Sequence, residues 1–123
     1  MLEKLGIEIT HIEPGKVAAR VTVTPDILTP NGFIHAGAIV SLADGLCGSG
    51  TEENLPAGAA GHTIELKVNL LGTAHEGAIE CVATLVHGGR TTQVWDAEVT
   101  SEASGKTIAL FRCTQLIIYP AHK

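Results

Sequence analysis

From Ala36 to Thr51 the chain carries a single charged side chain, Asp44. The residue pattern predicts a helix from about Ala36 to Glu53, closed by Pro56 and Gly58. A helix on a protein surface normally keeps a charged face. Plotted at about 100° per residue, this one offers Gly37, Ser41, Gly48 and Thr51 beside Asp44, with Ile39, Leu42 and Leu46 opposite. Gly37, Gly45, Gly48 and Gly50 each cost roughly 1 kcal/mol relative to alanine when inside a helix. Such a segment is expected to be buried nearly all round, with backbone or ligand approaching closely. The rest of the chain must supply the cover.

That cover reads as strands. Val17, Ala19, Val21 and Val23 alternate with Ala18, Arg20, Thr22 and Thr24, which predicts a half-buried strand over Lys16–Thr24. Ile7–Ile12 is its expected hairpin partner across Glu13-Pro14-Gly15. Pro25 to Gly32 is irregular, with Pro25, Pro30 and Asn31-Gly32 as turn signals. After the helix, His62–Leu71 places Ile64, Leu66, Val68 and Leu70 on one face and Thr63, Glu65, Lys67 and Asn69 on the other. Ala78–Val86 follows the Gly72–Gly77 turn, Gly88-Gly89 turns tightly into Arg90–Thr100, and Ser104-Gly105 turns into Thr107–Tyr119. The last four strands have no helices between them, which excludes a parallel βαβ arrangement. The expectation is one α+β domain over residues 1–123, a long central helix wrapped by an antiparallel sheet of five to six strands.

Composition narrows the function. With 45% apolar and 17% charged residues the chain is too apolar for disorder, and no apolar run approaches membrane-spanning length. The apolar surplus points to burial against another subunit. A net charge of -5 argues against a nucleic-acid surface. Cys47, Cys81 and Cys113 stand far apart without a CxxC pair and read as reduced, buried thiols. Met1-Leu2-Glu3-Lys4-Leu5 shows neither a basic n-region nor an apolar h-region, so the expected location is the cytoplasm. The six histidines lack metal-ligand spacing, Ser41 lacks the GxSxG elbow, and no Walker-type loop is present. No metal and no separate cofactor are expected.

A carboxylate in a mostly apolar helix must be paired, reached by a cleft or held for function. Asp44 is therefore the leading candidate for chemistry. His35 stands just before the helix, where unsatisfied N–H groups and the positive dipole end suit a developing oxyanion. The Ala36 N–H and the Asp44 carboxylate are separated by about 12 Å of helix axis. One carbonyl carbon cannot lie within reach of both. If both act on one carbonyl group they come from different chains, with two helices antiparallel across a two-fold axis.

Asn31-Gly32-Phe33-Ile34-His35-Ala36-Gly37-Ala38, followed by Leu42-Ala43-Asp44, resembles the NGxxHGG…LAD/E signature of hotdog-fold thioesterases of the phenylacetate-degradation and 4-hydroxybenzoyl-CoA type. The resemblance continues through Thr63–Leu71, Gly89-Arg90-Thr91-Thr92, Trp95-Asp96 and Ser104-Gly105-Lys106. It implies a hotdog fold, and homodimers with a continuous sheet that pair further into homotetramers. It implies hydrolysis of an aryl or short- to medium-chain acyl-CoA, with coenzyme A entering as part of the substrate. By position, Asp44 matches the catalytic carboxylate, acting as general base or as nucleophile. The Ala36 N–H matches the donor to the thioester carbonyl, His35 the motif histidine near the pantetheine arm, and Thr63 a hydroxyl that helps hold the attacking water. Thr29, Asn31, Gly32 and Gly37 are candidates for substrate binding. Arg90 is a candidate for the CoA phosphates, against the plainer reading of an exposed hairpin arginine. Two positions depart from the signature: Ala36 replaces its first glycine, and Thr29 stands where Asn or Gln is common. The rival reading from another class is a non-catalytic acyl-CoA-binding module on the same fold.

Overall fold

In the computed structural model, which describes residues 6–121, Asp44 lies on one helix enclosed by six strands. Met1–Leu5, read above for a leader, and His122 and Lys123 lie outside the described residues. The order is β1 (Ile7–Glu13), β2 (Lys16–Thr22), α1 (Ala36–Glu53), β3 (Ala60–Leu70), β4 (Ala78–Gly88), β5 (Thr92–Ser101) and β6 (Thr107–Ile118). A short 3-10 turn, Pro25–Ile27, leads from β2 toward the helix. The helix spans the range expected from the sequence. Every sheet pairing is antiparallel, in the order β1-β2-β4-β5-β6-β3.

The inner face of the sheet is built from cross-strand rows of small and apolar side chains. Val17, Ala83, Ala97, Phe111 and Val68 form one row; Ala19, Cys81, Val99, Ala109 and Leu70 form the next. The alanines let the helix approach closely, and Ile39, Leu42, Ala43, Leu46 and Cys47 are buried against them. Trp95 fills the next row with Cys113 and Leu66, and its ring lies directly under Gly50. A Cβ at Gly50 would run into that ring, which explains one helix glycine. A Cβ at Gly37 or Gly48 would meet nothing within 4 Å. The Asp44 side of the helix is thus half-exposed in a single protomer, not buried all round as the sequence led us to expect.

Three other expectations need correction. β2 ends at Thr22, because the chain turns into the 3-10 segment at Pro25. Arg90 belongs to the β4–β5 turn rather than to a strand, and the Gly89 N–H closes that turn on the Thr92 carbonyl at 2.8 Å. The third concerns β3. Its register against β6 shifts between Thr63 and Glu65, where Thr63 pairs with Gln115 and Glu65 with Thr114. A bulge places an extra residue, Ile64, in the strand and reverses the alternation beyond it. Thr63 therefore shares the inner face with Leu66, Val68 and Leu70 instead of opposing them.

The close seating of Trp95 on Gly50 gives a stability test. Gly50→Ala is expected to destabilise the fold by about 1–3 kcal/mol through overpacking, despite alanine's better helix propensity. Thermal or urea denaturation measures this, and an unchanged or raised midpoint would contradict the packing.

Candidate functional site

The bulge in β3 sets the site. It turns the Thr63 hydroxyl inward, where it donates to Asp44 Oδ1 at 2.7 Å. Gln115, opposite Thr63 on β6, donates from Nε2 to Thr63 Oγ1 at 2.6 Å. Three elements thus converge on one carboxylate: α1 carries Asp44, β3 carries Thr63 and β6 carries Gln115. Gln115 is buried, while Asp44 and Thr63 are half-buried. The carboxylate is neither a surface charge nor sealed in the core. One oxygen is held by a hydroxyl, and the helix face around it is lined by open glycine positions.

The loop before the helix is built with equal definition. Pro30 and a positive φ at Gly32 shape a turn in which the Gly32 N–H reaches the Thr29 carbonyl at 2.9 Å. Thr29 Oγ1 donates to Asn31 Oδ1 at 3.0 Å and accepts the Phe33 N–H at 3.1 Å. The β3–β4 connection clamps this loop from outside. Thr73 Oγ1 accepts the Ile34 N–H at 2.9 Å, and His75 Nδ1 lies 2.7 Å from the Gly32 carbonyl. A carbonyl only accepts, so Nδ1 carries the hydrogen. His35 stands at the N-cap, exposed, with its backbone N–H on the Ile27 carbonyl and no side-chain cap bond. Ala36 and Gly37 open the helix with exposed N–H groups that have no intrahelical acceptor.

The sequence-derived residues therefore fall into two groups within one protomer. Asp44 and Thr63 are in direct contact; Thr29, Asn31, Gly32, His35, Ala36 and Gly37 form the loop and first helical turn. Arg90 belongs to neither, being exposed in the β4–β5 turn, where its carbonyl accepts the Tyr119 hydroxyl at 2.5 Å. Gln115, Thr73 and His75 were not singled out from the sequence. For Gln115 a signal existed, an amide at an inward position of a strand whose neighbours Cys113 and Ile117 are apolar. For Thr73 and His75 none did.

A separate groove of about 640 Å3 lies on the outer face of the sheet, with Lys67, Glu80, Asp96, Glu98 and Arg112 in its lining. Its chemistry is that of paired surface charge. Arg112 bonds Asp96 and holds that carboxyl below its ordinary range. Among the described residues, no cluster of His, Cys, Asp or Glu gathers in a metal-ligating arrangement. No described helix is long and apolar enough to cross a membrane.

Comparison with known proteins agrees with this architecture. Residues 31–108 match the family model of the thioesterase superfamily. The 1,4-dihydroxy-2-naphthoyl-CoA hydrolase of Listeria monocytogenes is 31% identical, over 91% of this chain and 90% of its own. A thioesterase structure from Staphylococcus aureus superposes with a TM-score of 0.92 at 28% identity, covering 97% of this chain and 98% of that one. The PaaI protein of the E. coli phenylacetic acid degradation operon superposes with a TM-score of 0.87 at 28% identity, covering 95% and 83%.

The cysteines stand apart from this chemistry. Cys47, Cys81 and Cys113 are all free and buried. Burial pushes the Cys81 thiol up to about 12, with the nearby Glu80 charge adding to it. A hydrogen bond to Cys113, together with burial, also pushes the Cys47 thiol up. Thiols held protonated are poor nucleophiles, and Cys113, whose thiol the hydrogen bond with Cys47 shifts down, is shielded by burial. An aromatic disulfide reagent at pH 8 is expected to leave the folded protein unmodified and to titrate all three cysteines in denaturant. One thiol reacting within seconds in the folded state would contradict their assignment as packing residues.

Proposed function

The chain belongs to the thioesterase superfamily, and from that premise we propose that it hydrolyses acyl-CoA thioesters with Asp44 as the general base. The carrying observation is the 2.7 Å hydrogen bond from Thr63 to Asp44 Oδ1, on a helix with no other charge from Ala36 to Thr51. With Oδ1 held, Oδ2 is the oxygen left to take a proton from water. That water attacks the thioester carbonyl carbon, and the oxyanion forms against the N–H of Ala36. The C–S bond then breaks, the thiolate of coenzyme A takes the proton from Asp44, and the free acid leaves. The hydroxyl contact favours the base role over the nucleophile role, because a carboxylate anchored at one oxygen is already oriented toward water.

Helix geometry supports a site whose two halves come from two chains. The rise from Ala36 to Asp44, about 12 Å, separates donor and base within one protomer. A second copy related by a two-fold axis brings its own Ala36 to the first protomer's Asp44. The edge of β3 supports that pairing. Its side chains Ile64, Leu66 and Leu70 are 58%, 42% and 49% exposed, and Leu71 beyond it 59%. An apolar strand edge of this kind is a template for another strand. Pairing of β3 with β3 would join the two sheets into one and cover the Asp44 side of each helix. Further association into a tetramer stays part of this proposal.

His35 and Gly37 flank the donor, and Gly32 shapes the loop along which the pantetheine arm would run. Between the two candidates for a second carbonyl donor, the hydrogen bonds favour Asn31. The one proton of Thr29 is committed to Asn31 Oδ1, which leaves the Asn31 amide hydrogens available for a ligand. Arg90, exposed at a sheet end, is the candidate cation for the CoA phosphates. The substrate class is aryl or short- to medium-chain acyl-CoA, taken up without a metal or a separate cofactor.

Two measurements test this. Across a panel of aryl and short acyl-CoAs, release of free CoA is expected, with Asp44→Asn lowering kcat by roughly 100- to 10,000-fold. Asn31→Ala is expected to lower it by about 100-fold, the effect of losing one oxyanion donor. Equal rates for wild type and Asp44→Asn on every substrate would remove the base assignment. Sedimentation at micromolar concentration should give a dimer or tetramer, and a stable active monomer would rule out a site shared between chains.

A further inference from the structure

We infer that Gln115 is a positioning residue of the reaction, acting through Thr63 to set which Asp44 oxygen receives the proton from water. The inference rests on Asp44 as the base. Its argument is a count of protons. An ionised carboxylate only accepts hydrogen bonds, and a threonine hydroxyl has one hydrogen to give. The 2.7 Å contact between Thr63 Oγ1 and Asp44 Oδ1 therefore takes that hydrogen. Thr63 Oγ1 can then only accept from its other neighbour. Gln115 must present its amide nitrogen there, at 2.6 Å, and turn its carbonyl oxygen away.

The surroundings hold that orientation. Gln115 is 1% exposed, so water does not compete for its amide. Its Nε2 also lies 3.5 Å from Cys113 Sγ, a weak acceptor, which again suits a donor at that position. Gly61, beside it on β3, leaves room for the Thr51 methyl, which a Cβ there would meet at 2.6 Å, and that Cβ would lie 3.5 Å from Gln115 Oε1, at ordinary contact. On the next strand Gln93, directly opposite in the ladder, takes the Trp95 indole N–H at 3.0 Å. A buried amide costs free energy unless its groups are used. Here its donor group starts a directed chain, Gln115 to Thr63 to Asp44, that holds Oδ1 and leaves Oδ2 for water. A glutamine serving only to fill the core would have no need to meet the one hydroxyl bonded to the candidate base.

Three variants separate positioning from packing: Gln115→Met, Gln115→Glu and Thr63→Val, with the double variant Thr63→Val/Gln115→Met. Gln115→Met is expected to lower kcat roughly tenfold, the effect of one lost hydrogen bond, with KM within about twofold. In the Thr63→Val background the same change should cost almost nothing further, because its only route to Asp44 is already cut. Gln115→Glu keeps the shape and reverses the polarity. Its carboxylate draws the Thr63 hydrogen away and sets a like charge near Asp44, so the acid limb of the kcat–pH profile should move to higher pH. Gln115→Met should leave that limb in place. Losses that multiply in the double variant, or a Gln115→Glu profile that keeps the wild-type acid limb, would overturn the inference. If Gln115→Met does not fold, the Gln115→Glu profile decides alone. Failure of the base assignment has a different signature, an active Asp44→Asn.

Discussion

An 18-residue helix with one carboxylate in its interior stays folded only if a sheet curves round it and takes its apolar side out of water. That burial is the contact on which the rest of this protein depends. The alanines of the inner rows let α1 come close, and Trp95 sets the distance by meeting Gly50. The helix then has one direction left to face. Asp44 is held at the margin between core and surface, with one oxygen bonded by the Thr63 hydroxyl.

Aim comes from the sheet. In a regular strand Thr63 would point away from the helix. The bulge at Ile64 turns it inward and brings its hydroxyl to Asp44. β3 is also an edge strand of the sheet, and its Ile64, Leu66 and Leu70 are exposed. Bulges at sheet edges commonly re-aim a side chain in this way. The feature that completes the carboxylate site is thus on the same strand whose edge is open to a second copy. In the proposed dimer, chemistry and assembly would meet on β3.

The loop from Thr29 to His35 is the other half of the arrangement. It is held by bonds that come from far along the chain, Thr73 and His75, rather than by a helix cap of its own. A helix end left uncapped keeps its N–H groups available to a ligand. In the proposed reaction those groups would serve the developing oxyanion.

Much of this was legible in the residues. Periodicity gave the helix its range and the strands their order, because alternating and helical burial leave different spacings. The absence of other charges around Asp44 marked it out, since a lone carboxylate in an apolar helix needs a reason. The rise per residue separated it from Ala36, which is the ground for proposing a site shared between two chains. The tertiary structure alone decided which way Thr63 points, because a bulge changes alternation without changing composition. It alone gave Gln115, Thr73 and His75 their hydrogen-bond partners, since each reaches across 39 or more residues of sequence. It also showed that Gly50 is explained by packing, whereas Gly37 and Gly48 face open space. A sequence records which groups the chain can offer; only the closed sheet determines which of them meet.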